Sequence, residues 1–224
     1  MNQLNVLIVD DHPLIADAYK MAFYKVEQAS SNYTFNIDYA QDIDIAYQKF
    51  TDSLQSNKFD LVFLDINLPS SSDGKLISGE DFGIEIKDLD PTVKIIVSTM
   101  YNNNFRIQNI IKTVNPEGFL IKSDVDPKTL VAAIETVLSG SPYYDKTVLK
   151  LFRLQISSDI VVDSVDRQIL HELSKGTKMI ELPKIIPLSA SAIEYRKRRL
   201  KEAFNVEDKD DRALINEAKD KGFI

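Results

Sequence analysis

The sequence predicts an α/β domain built on a doubly wound, five-stranded parallel sheet, followed by a small all-α domain. Two observations favour the first domain: short aliphatic runs end in polar residues, and segments with helical spacing separate these runs. A change of charge indicates the second. Residues 1–154 contain 14 Lys and Arg against 21 Asp and Glu, whereas residues 155–224 contain 13 of each, which suggests two domains with different partners.

The predicted strands are apolar runs that end at polar residues. Val6 to Val9 are four aliphatic residues in a row, as in a strand that is buried on both faces of a parallel sheet. The segment 34–40 alternates apolar and polar residues, which is typical of a half-covered edge strand. Three further runs complete the predicted sheet, at 61–65, 94–99 and 118–122.

Helices are predicted between these strands, because apolar residues recur there every three or four positions. Pro13 can open the first of them from its first position. The segments with this spacing are 13–26, 42–54, 104–112 and 127–138. Strands that alternate with helices imply right-handed crossovers and a sheet covered on both faces, so we predict five strands and five helices.

Polar side chains follow four of the predicted strands. Asp10 and Asp11 follow the first strand, Asp65 ends the third, Thr99 the fourth and Lys122 the fifth. Because the carboxyl ends of parallel strands meet at one edge of a sheet, these five groups are expected to lie together. Three carboxylates, a hydroxyl and an ammonium suit a phosphoryl group and a hard divalent cation, and oxygen ligands favour Mg²⁺.

Composition excludes several other classes of protein. The chain has no cysteine, which rules out disulfides, thiolate metal sites and thiol catalysis. We find no apolar run near 18 residues and no secretory leader, so neither a membrane span nor export is predicted. A cytoplasmic location is expected.

Four sequence blocks resemble the receiver domain of two-component response regulators. They are "VDDHP", "LVFLDINLP", "IIVSTM" and "GFLIK", and the resemblance covers about residues 3–140. It implies a flavodoxin-like fold in which Asp65 accepts a phosphoryl group from a sensor histidine kinase. It also implies that Mg²⁺ is bound by Asp10, Asp11, Asp65 and the backbone carbonyl of Asn67.

The same resemblance assigns three further residues. Lys122 would neutralise phosphate charge, and Thr99 would bind a phosphoryl oxygen. Phe119, three residues before the lysine, matches the switch aromatic of the family. Ser98 is the rival to Thr99, but the two-residue period of a strand puts their side chains on opposite faces. The resemblance implies a regulatory protein, not an enzyme, with only self-phosphorylation and autodephosphorylation at Asp65.

One departure from the receiver pattern follows the predicted phosphoacceptor strand. Receivers usually have a glycine a few residues after the proline that Pro69 matches. Here the segment 70–82 is rich in Ser, Gly and Asp, and the glycine is either Gly74 or Gly83. We interpret the segment as a flexible loop that either gates access of the kinase or is a tolerated surface insertion.

The C-terminal part resembles a LuxR-type (NarL/FixJ-like) helix-turn-helix output domain. The predicted domains are the receiver at 1–140, a linker with a short helix at 141–156, and the DNA-binding domain at 157–224. The resemblance rests on the order of helices, on "LS" before the recognition helix and on the ending "DKGFI". Pro183 interrupts the scaffold helix, unless that helix begins near Leu182 with the proline in its first turn.

The predicted recognition helix carries the cationic run "RKRR". With Ile193, Leu200 and Phe204 turned inward, Ser191, Glu194, Tyr195, Arg198 and Glu202 face outward. The candidate contacts to DNA are Glu194, Tyr195, Arg198, Arg199 and Lys201, and Arg198 is the best candidate. Glu194 stands where the family is usually basic. The alternative for the run is a solvated helix face. The resemblance implies duplex DNA as a partner and a homodimer after phosphorylation.

Two other classes of protein remain open at this point. A haloacid-dehalogenase-like phosphatase also uses a strand-end aspartate with Mg²⁺, but it needs a second aspartate two residues later, where this chain has Asn67. The second alternative is a phosphorylation-switched module whose C-terminal helices bind protein. Salt-dependent binding of DNA, or its absence, distinguishes a transcription factor from such a module. His12 is interpreted as a surface residue, because imidazole is a poor ligand for Mg²⁺, and His171 has no assigned role.

Overall fold

The computed structural model describes residues 2–30, 32–101, 104–153 and 161–224. Its contacts divide the chain into two compact units. The first unit contains residues 1–100 and 114–154, and the second contains residues 101–113 and 155–224. The predicted domain boundaries remain a prediction. The two compact units differ from them, because the second unit includes the segment 101–113.

The first unit is built on a parallel sheet with the strand order β2-β1-β3-β4-β5-β6. The strands are β1 (Asn2–Val9), β2 (Tyr33–Ala40), β3 (Leu61–Asp65), β4 (Lys94–Thr99), β5 (Gly118–Ile121) and β6 (Tyr143–Tyr144). The aliphatic side chains of β3, β4 and β5, and those of β1 from Val6 to Val9, are completely or nearly completely buried, as their sequences predict.

Among the described residues the sheet has six strands, which corrects the prediction of five. The sixth strand is only two residues long and lies in the segment predicted as a linker. It is fixed by two backbone bonds, because the N–H of Tyr143 donates to the carbonyl of Glu117 and the N–H of Asp145 donates to that of Phe119. A strand of two residues has no periodicity, so its sequence could not reveal it.

Helices cover the sheet of the first unit, and those predicted at 13–26, 42–54 and 127–138 are found there; the segment predicted at 104–112 is helical but packs with the second unit. They are α1 (Pro13–Ala29), α2 (Ile43–Ser53), α3 (Gly79–Leu89), α5 (Pro127–Leu138) and α6 (Lys146–Arg153). Pro13 and Pro127 occupy the first turns of α1 and α5. Backbone N–H groups in the first turn have no partner within the helix, so proline loses no hydrogen bond there. On one face of the sheet, α1 and α5 pack on a core that includes Phe23 and Phe63. No helix of the described residues has the length and apolarity to cross a membrane.

The second unit is helical and includes a helix from the middle of the chain. Its helices are α4 (Asn104–Val114), whose last residue belongs to the first unit, α7 (Ser164–Ser174), α8 (Leu182–Ile185), α9 (Ala190–Ala203) and α10 (Asp211–Asp220). The ring of Phe105 on α4 lies 5.8 Å from the rings of both Phe204 and Phe223. The side chain of Asn109 accepts the N–H of Val162 at 2.8 Å and donates to its carbonyl at 3.1 Å.

The helix α8, predicted to be the scaffold helix of a helix-turn-helix, is a single turn. It begins at Leu182, and Pro183 lies in its first turn, which is the second of the two alternatives predicted from the sequence. The predicted recognition helix is α9, which begins after Ser189; the hydroxyl of Ser189 accepts the N–H of Ala192 as an N-cap. Ile193, Leu200 and Phe204 are buried as predicted.

Candidate functional site

A buried lysine joins two of the predicted acidic residues at the carboxyl edge of the sheet. Asp10 follows β1, Asp65 ends β3, and both side chains are almost completely buried. The Nζ atom of Lys122, directly after β5, lies 2.8 Å from Asp10 Oδ2 and 2.6 Å from Asp65 Oδ2. The expectation that these three groups meet is therefore confirmed.

The electrostatics of this cluster follow from burial and from the ion pairs. Burial raises the pKa of the Asp65 carboxyl; the ammonium of Lys122 and the N–H of Asn67 oppose this rise, and Asp10 adds to it. Burial disfavours the charge of Lys122, but the carboxylates of Asp65 and Asp10 outweigh that effect and raise the pKa of Lys122. The lysine stays protonated and screens two carboxylates that would otherwise repel each other.

Asp11 and His12 complete a group of four side chains with the geometry of a metal site. One ligand atom each from Asp10, Asp11, His12 and Asp65 lies within 4.8 Å of the others. Three carboxylates fit a hard divalent cation. His12 is exposed, as predicted, but its Nδ1 lies 2.7 Å from Asp11 Oδ1. Sequence reasoning therefore missed its proximity to the acidic cluster.

The two hydroxyls at the end of β4 point to opposite faces, as the strand period predicts. Ser98 lies on the α1 side, where its Oγ accepts the phenol of Tyr19 at 2.8 Å. Thr99 lies on the site side, where its Oγ1 donates to the side-chain Oδ1 of Asn67 at 2.9 Å. Asn67 also donates its backbone N–H to Asp65 Oδ1 at 2.8 Å. Thr99 is thus connected to the phosphoacceptor candidate through Asn67.

Phe119, the predicted switch aromatic, lies in β5 and is completely buried. Its register partner on β6 is Tyr144. Because the ring of Phe119 is already buried, it cannot switch by moving from solvent into the protein. A role for Phe119 in switching remains a prediction.

Gly79, which was not one of the two candidates predicted from the sequence, is the glycine after Pro69 at which a Cβ atom would meet the backbone of Asp65. Gly79 is the first residue of α3, and its N–H donates to the carbonyl of Ile66 at 3.1 Å. A Cβ atom at this position would lie 1.9 Å from the backbone oxygen of Asp65. The close approach of α3 to the phosphoacceptor strand therefore requires glycine.

The longer segment before Gly79 is held by local hydrogen bonds. The N–H of Ser71 donates to the carbonyl of Leu76, and the N–H of Ser72 donates to the carboxylate of Asp44 at the start of α2. The side chain of Ser71 is buried. The insertion is thus a hydrogen-bonded loop, and a gating role for it remains a prediction.

Comparison with known proteins identifies the family. The family model of the response regulator receiver domain matches residues 6–135, which is more than half of the chain. This chain belongs to the response regulators. This assignment overturns the alternative of a haloacid-dehalogenase-like phosphatase. It agrees with the sequence, which has Asn67 where such a phosphatase needs a second aspartate.

Curated relatives of this response regulator match it along most of its length. The nitrate/nitrite response regulator protein NarP of Escherichia coli (strain K12) is 25% identical over 207 residues, which cover 90% of this chain and 88% of NarP. The transcriptional regulatory protein RcsB of the same organism is 24% identical over 220 residues, which cover 96% of this chain and 94% of RcsB.

A solved structure shares the fold over the whole chain. RcsB from Salmonella enterica serovar Typhimurium, bound to promoter P1flhDC in the presence of the phosphomimetic BeF3-, superposes with a TM-score of 0.66 at 21% identity. The match covers 98% of this response regulator and 100% of that chain. The receiver fold and the following helical domain are therefore shared with RcsB.

The outward face of the recognition helix α9 is the second candidate site of this response regulator. All five side chains predicted to face outward are exposed: Ser191, Glu194, Tyr195, Arg198 and Glu202. Four of them line a shallow depression together with Lys197 and Lys201. The guanidinium of Arg198 lies 5.6 Å from the centre of the Tyr195 ring. The face therefore presents a cation beside an exposed aromatic ring.

Most cations of the "RKRR" run are bound within the second unit. Arg196 contacts Asp163 at 2.7 Å and Asp166 at 2.8 Å, and Arg199 contacts Asp166 at 3.0 Å. Lys197 is paired with Asp211 at 3.1 Å. Among the described residues, Arg198 is the one cation of the run for which no ion pair is found.

Lys201, two residues beyond the run, is also held within the protein. Its Nζ lies 2.9 Å from Asp211 Oδ1 and 2.7 Å from the carbonyl of Lys209. A contact of Lys201 or Arg199 with DNA would compete with these internal bonds. Both contacts remain predictions, and the geometry favours Arg198.

We expect Asp166→Ala to lower the free energy of unfolding by about 3 kcal/mol, because it leaves two guanidinium groups without their shared, fully buried partner. Urea denaturation followed by circular dichroism measures this. Asp163→Ala is the matched control: it removes one contact of Arg196 and an N-cap, and should cost about 1 kcal/mol. Equal losses for the two variants would contradict the prediction.

Proposed function

We propose that this response regulator is switched by phosphorylation of Asp65 and that its C-terminal domain binds DNA to regulate transcription. The observation that carries the proposal is the buried Asp65 carboxylate, held 2.6 Å from Lys122 beside Asp10. A sensor histidine kinase is the proposed donor, and the cytoplasm is the proposed location. The protein acts as a regulator and not as an enzyme, apart from its own phosphorylation and dephosphorylation.

The chemistry of the first step is phosphoryl transfer to a carboxylate. A carboxylate oxygen of Asp65 forms the new bond to phosphorus while the bond from phosphorus to the donor imidazole nitrogen breaks and its electron pair stays on that nitrogen. The product is an acyl phosphate. The ammonium of Lys122 already contacts the Asp65 carboxylate, and it offsets the negative charge on the phosphoryl oxygens. Thr99 supplies a hydroxyl to one of those oxygens.

Mg²⁺ is the proposed cofactor of this step. Asp10, Asp11, Asp65 and the backbone carbonyl of Asn67 would hold it, and the grouping of the three carboxylates fits that assignment. When bound, the ion neutralises charge on the transferring phosphoryl group. His12 lies at the edge of the group but is a poor ligand for this cation.

The proposed output is binding of duplex DNA by a homodimer. A helix-turn-helix places its second helix in the major groove, and a dimer reads two half-sites about one helical turn apart. RcsB, a relative of the same fold, is bound to a promoter in the presence of a phosphomimetic in its solved structure, which supports this output. The equal numbers of acids and bases in residues 155–224 make non-specific binding weak, so dimerisation should contribute strongly to affinity.

Selection of bound sequences from random duplex DNA, with and without acetyl phosphate and Mg²⁺, tests the output. We expect enrichment of paired half-sites that depends on the phosphoryl donor. No enrichment in either condition at physiological salt would refute DNA binding and favour the alternative of a protein-interaction module.

Arg198→Ala is expected to weaken specific DNA binding by about 1 to 3 kcal/mol and to relax selectivity at one base pair, if the guanidinium contacts guanine in the major groove. Fluorescence anisotropy with the selected duplex measures this. Lys201→Ala removes the same charge from the same helix face, but its ammonium is bound internally. A larger loss for Lys201→Ala than for Arg198→Ala would contradict the assignment.

A further inference from the structure

The side chain of Asn67 accepts the proton of the Thr99 hydroxyl. Thr99 Oγ1 donates its proton to Asn67 Oδ1 at 2.9 Å, and Thr99 itself is completely buried. A threonine hydroxyl has one proton to donate. A phosphoryl oxygen on Asp65 would require that same proton. The hydroxyl therefore cannot satisfy Asn67 and the phosphoryl group at once.

The backbone and the side chain of Asn67 serve different partners. Its backbone N–H donates to Asp65 Oδ1 at 2.8 Å, and its backbone carbonyl is the proposed metal ligand. Neither of these groups depends on the side chain. Replacement of the side chain alone therefore tests the bond to Thr99 while it preserves the backbone contacts to the phosphoacceptor.

We propose that the Asn67 side chain is a latch that holds Thr99 in its unphosphorylated position and sets how readily the receiver switches. The inference rests on the proposed phosphorylation of Asp65. In the resting protein the latch stabilises the state in which the hydroxyl points to Asn67. Phosphorylation shifts the equilibrium because the charged acceptor on Asp65 outcompetes a neutral amide oxygen. Asn67 is thus a positioning residue that acts through Thr99.

The size of the effect follows from the net contribution of one neutral hydrogen bond. Loss of such a bond corresponds to a shift of about 2- to 10-fold in a two-state equilibrium. Asn67→Ala should therefore increase the ratio of switched to resting molecules by that factor before any phosphorylation. Asn67→Asp keeps an acceptor for the hydroxyl and should leave the ratio at or below that of the unmodified protein.

Nuclear magnetic resonance of the Thr99 methyl group measures this ratio directly. The signal is assigned by its disappearance in Thr99→Val, and the switched endpoint is the position reached with Mg²⁺ and beryllium trifluoride. In the absence of beryllium trifluoride, the Asn67→Ala signal should lie closer to that endpoint, and the Asn67→Asp signal should not. An Asn67→Ala signal at the same place as that of the unmodified protein overturns the latch.

A double-variant cycle separates the latch from a general structural effect. In the Thr99→Val background the hydroxyl is absent, so Asn67→Ala should no longer change dimerisation of the unphosphorylated protein in analytical ultracentrifugation. A change of equal size in both backgrounds refutes the coupling through Thr99. If the unmodified protein neither responds to beryllium trifluoride nor accepts a phosphoryl group at Asp65, the proposed function fails, and not the latch alone.

Discussion

Asp65→Asn is expected to abolish phosphorylation and to preserve the fold. The amide has the shape of the carboxylate but lacks the nucleophilic oxygen that forms the acyl phosphate. Lys122 keeps Asp10 as a partner at 2.8 Å, so the substitution does not leave a buried ammonium without a counter-charge. Incubation with acetyl phosphate and Mg²⁺, followed by mass spectrometry of the intact protein, measures the transfer, and circular dichroism verifies the fold.

The chain provides a matched control for this substitution. Asp60 lies immediately before the opposite end of the same strand, where its carboxylate accepts the N–H of Asn5 at 2.8 Å. Asp60→Asn should accept the phosphoryl group at the rate of the unmodified protein. Phosphorylation of Asp65→Asn at an undiminished level would show that Asp65 is not the acceptor.

Gly79→Ala is expected to slow phosphorylation about 100-fold and to cost about 1 to 3 kcal/mol of stability. The added Cβ would lie 1.9 Å from the backbone oxygen of Asp65, so the start of α3 or the end of β3 must move. Because phosphoryl transfer depends on position, a shift of the acceptor carboxylate by about 1 Å is costly. Rates of labelling with acetyl phosphate and urea denaturation measure the two effects.

Gly83→Ala is the control, since it lies one turn further along the same helix. The three atoms nearest to its Cβ would be side-chain atoms of Val114 and Leu64, at 3.0 to 3.3 Å, and these can adjust. We expect a small change in stability and normal labelling. If Gly79→Ala labels as fast as Gly83→Ala, then the close approach of α3 is not needed for the chemistry.

The acidic cluster around Lys122 was predictable because it is built from strand ends. Parallel strands deliver their carboxyl ends to one edge, so Asp10, Asp65 and Lys122 had to converge once the strands were recognised. The separation of Ser98 from Thr99 follows from the same two-residue period. Gly79 was not predictable, because the need for glycine arises from the backbone of Asp65, fourteen residues away in the chain, and no local pattern reports it.

Local periodicity was enough to predict the first five strands, their polar ends and the inward and outward faces of α9. Which cations of α9 are free of ion pairs within the protein depends instead on contacts between segments that are distant in the chain. Arg196 and Arg199 look like surface cations in the sequence, yet the fully buried Asp166 on α7 binds both. The placement of α4 with the C-terminal helices has the same kind of cause. The sequence of α4 does not show in which unit Phe105 packs; the tertiary structure places its partly buried ring against those of Phe204 and Phe223.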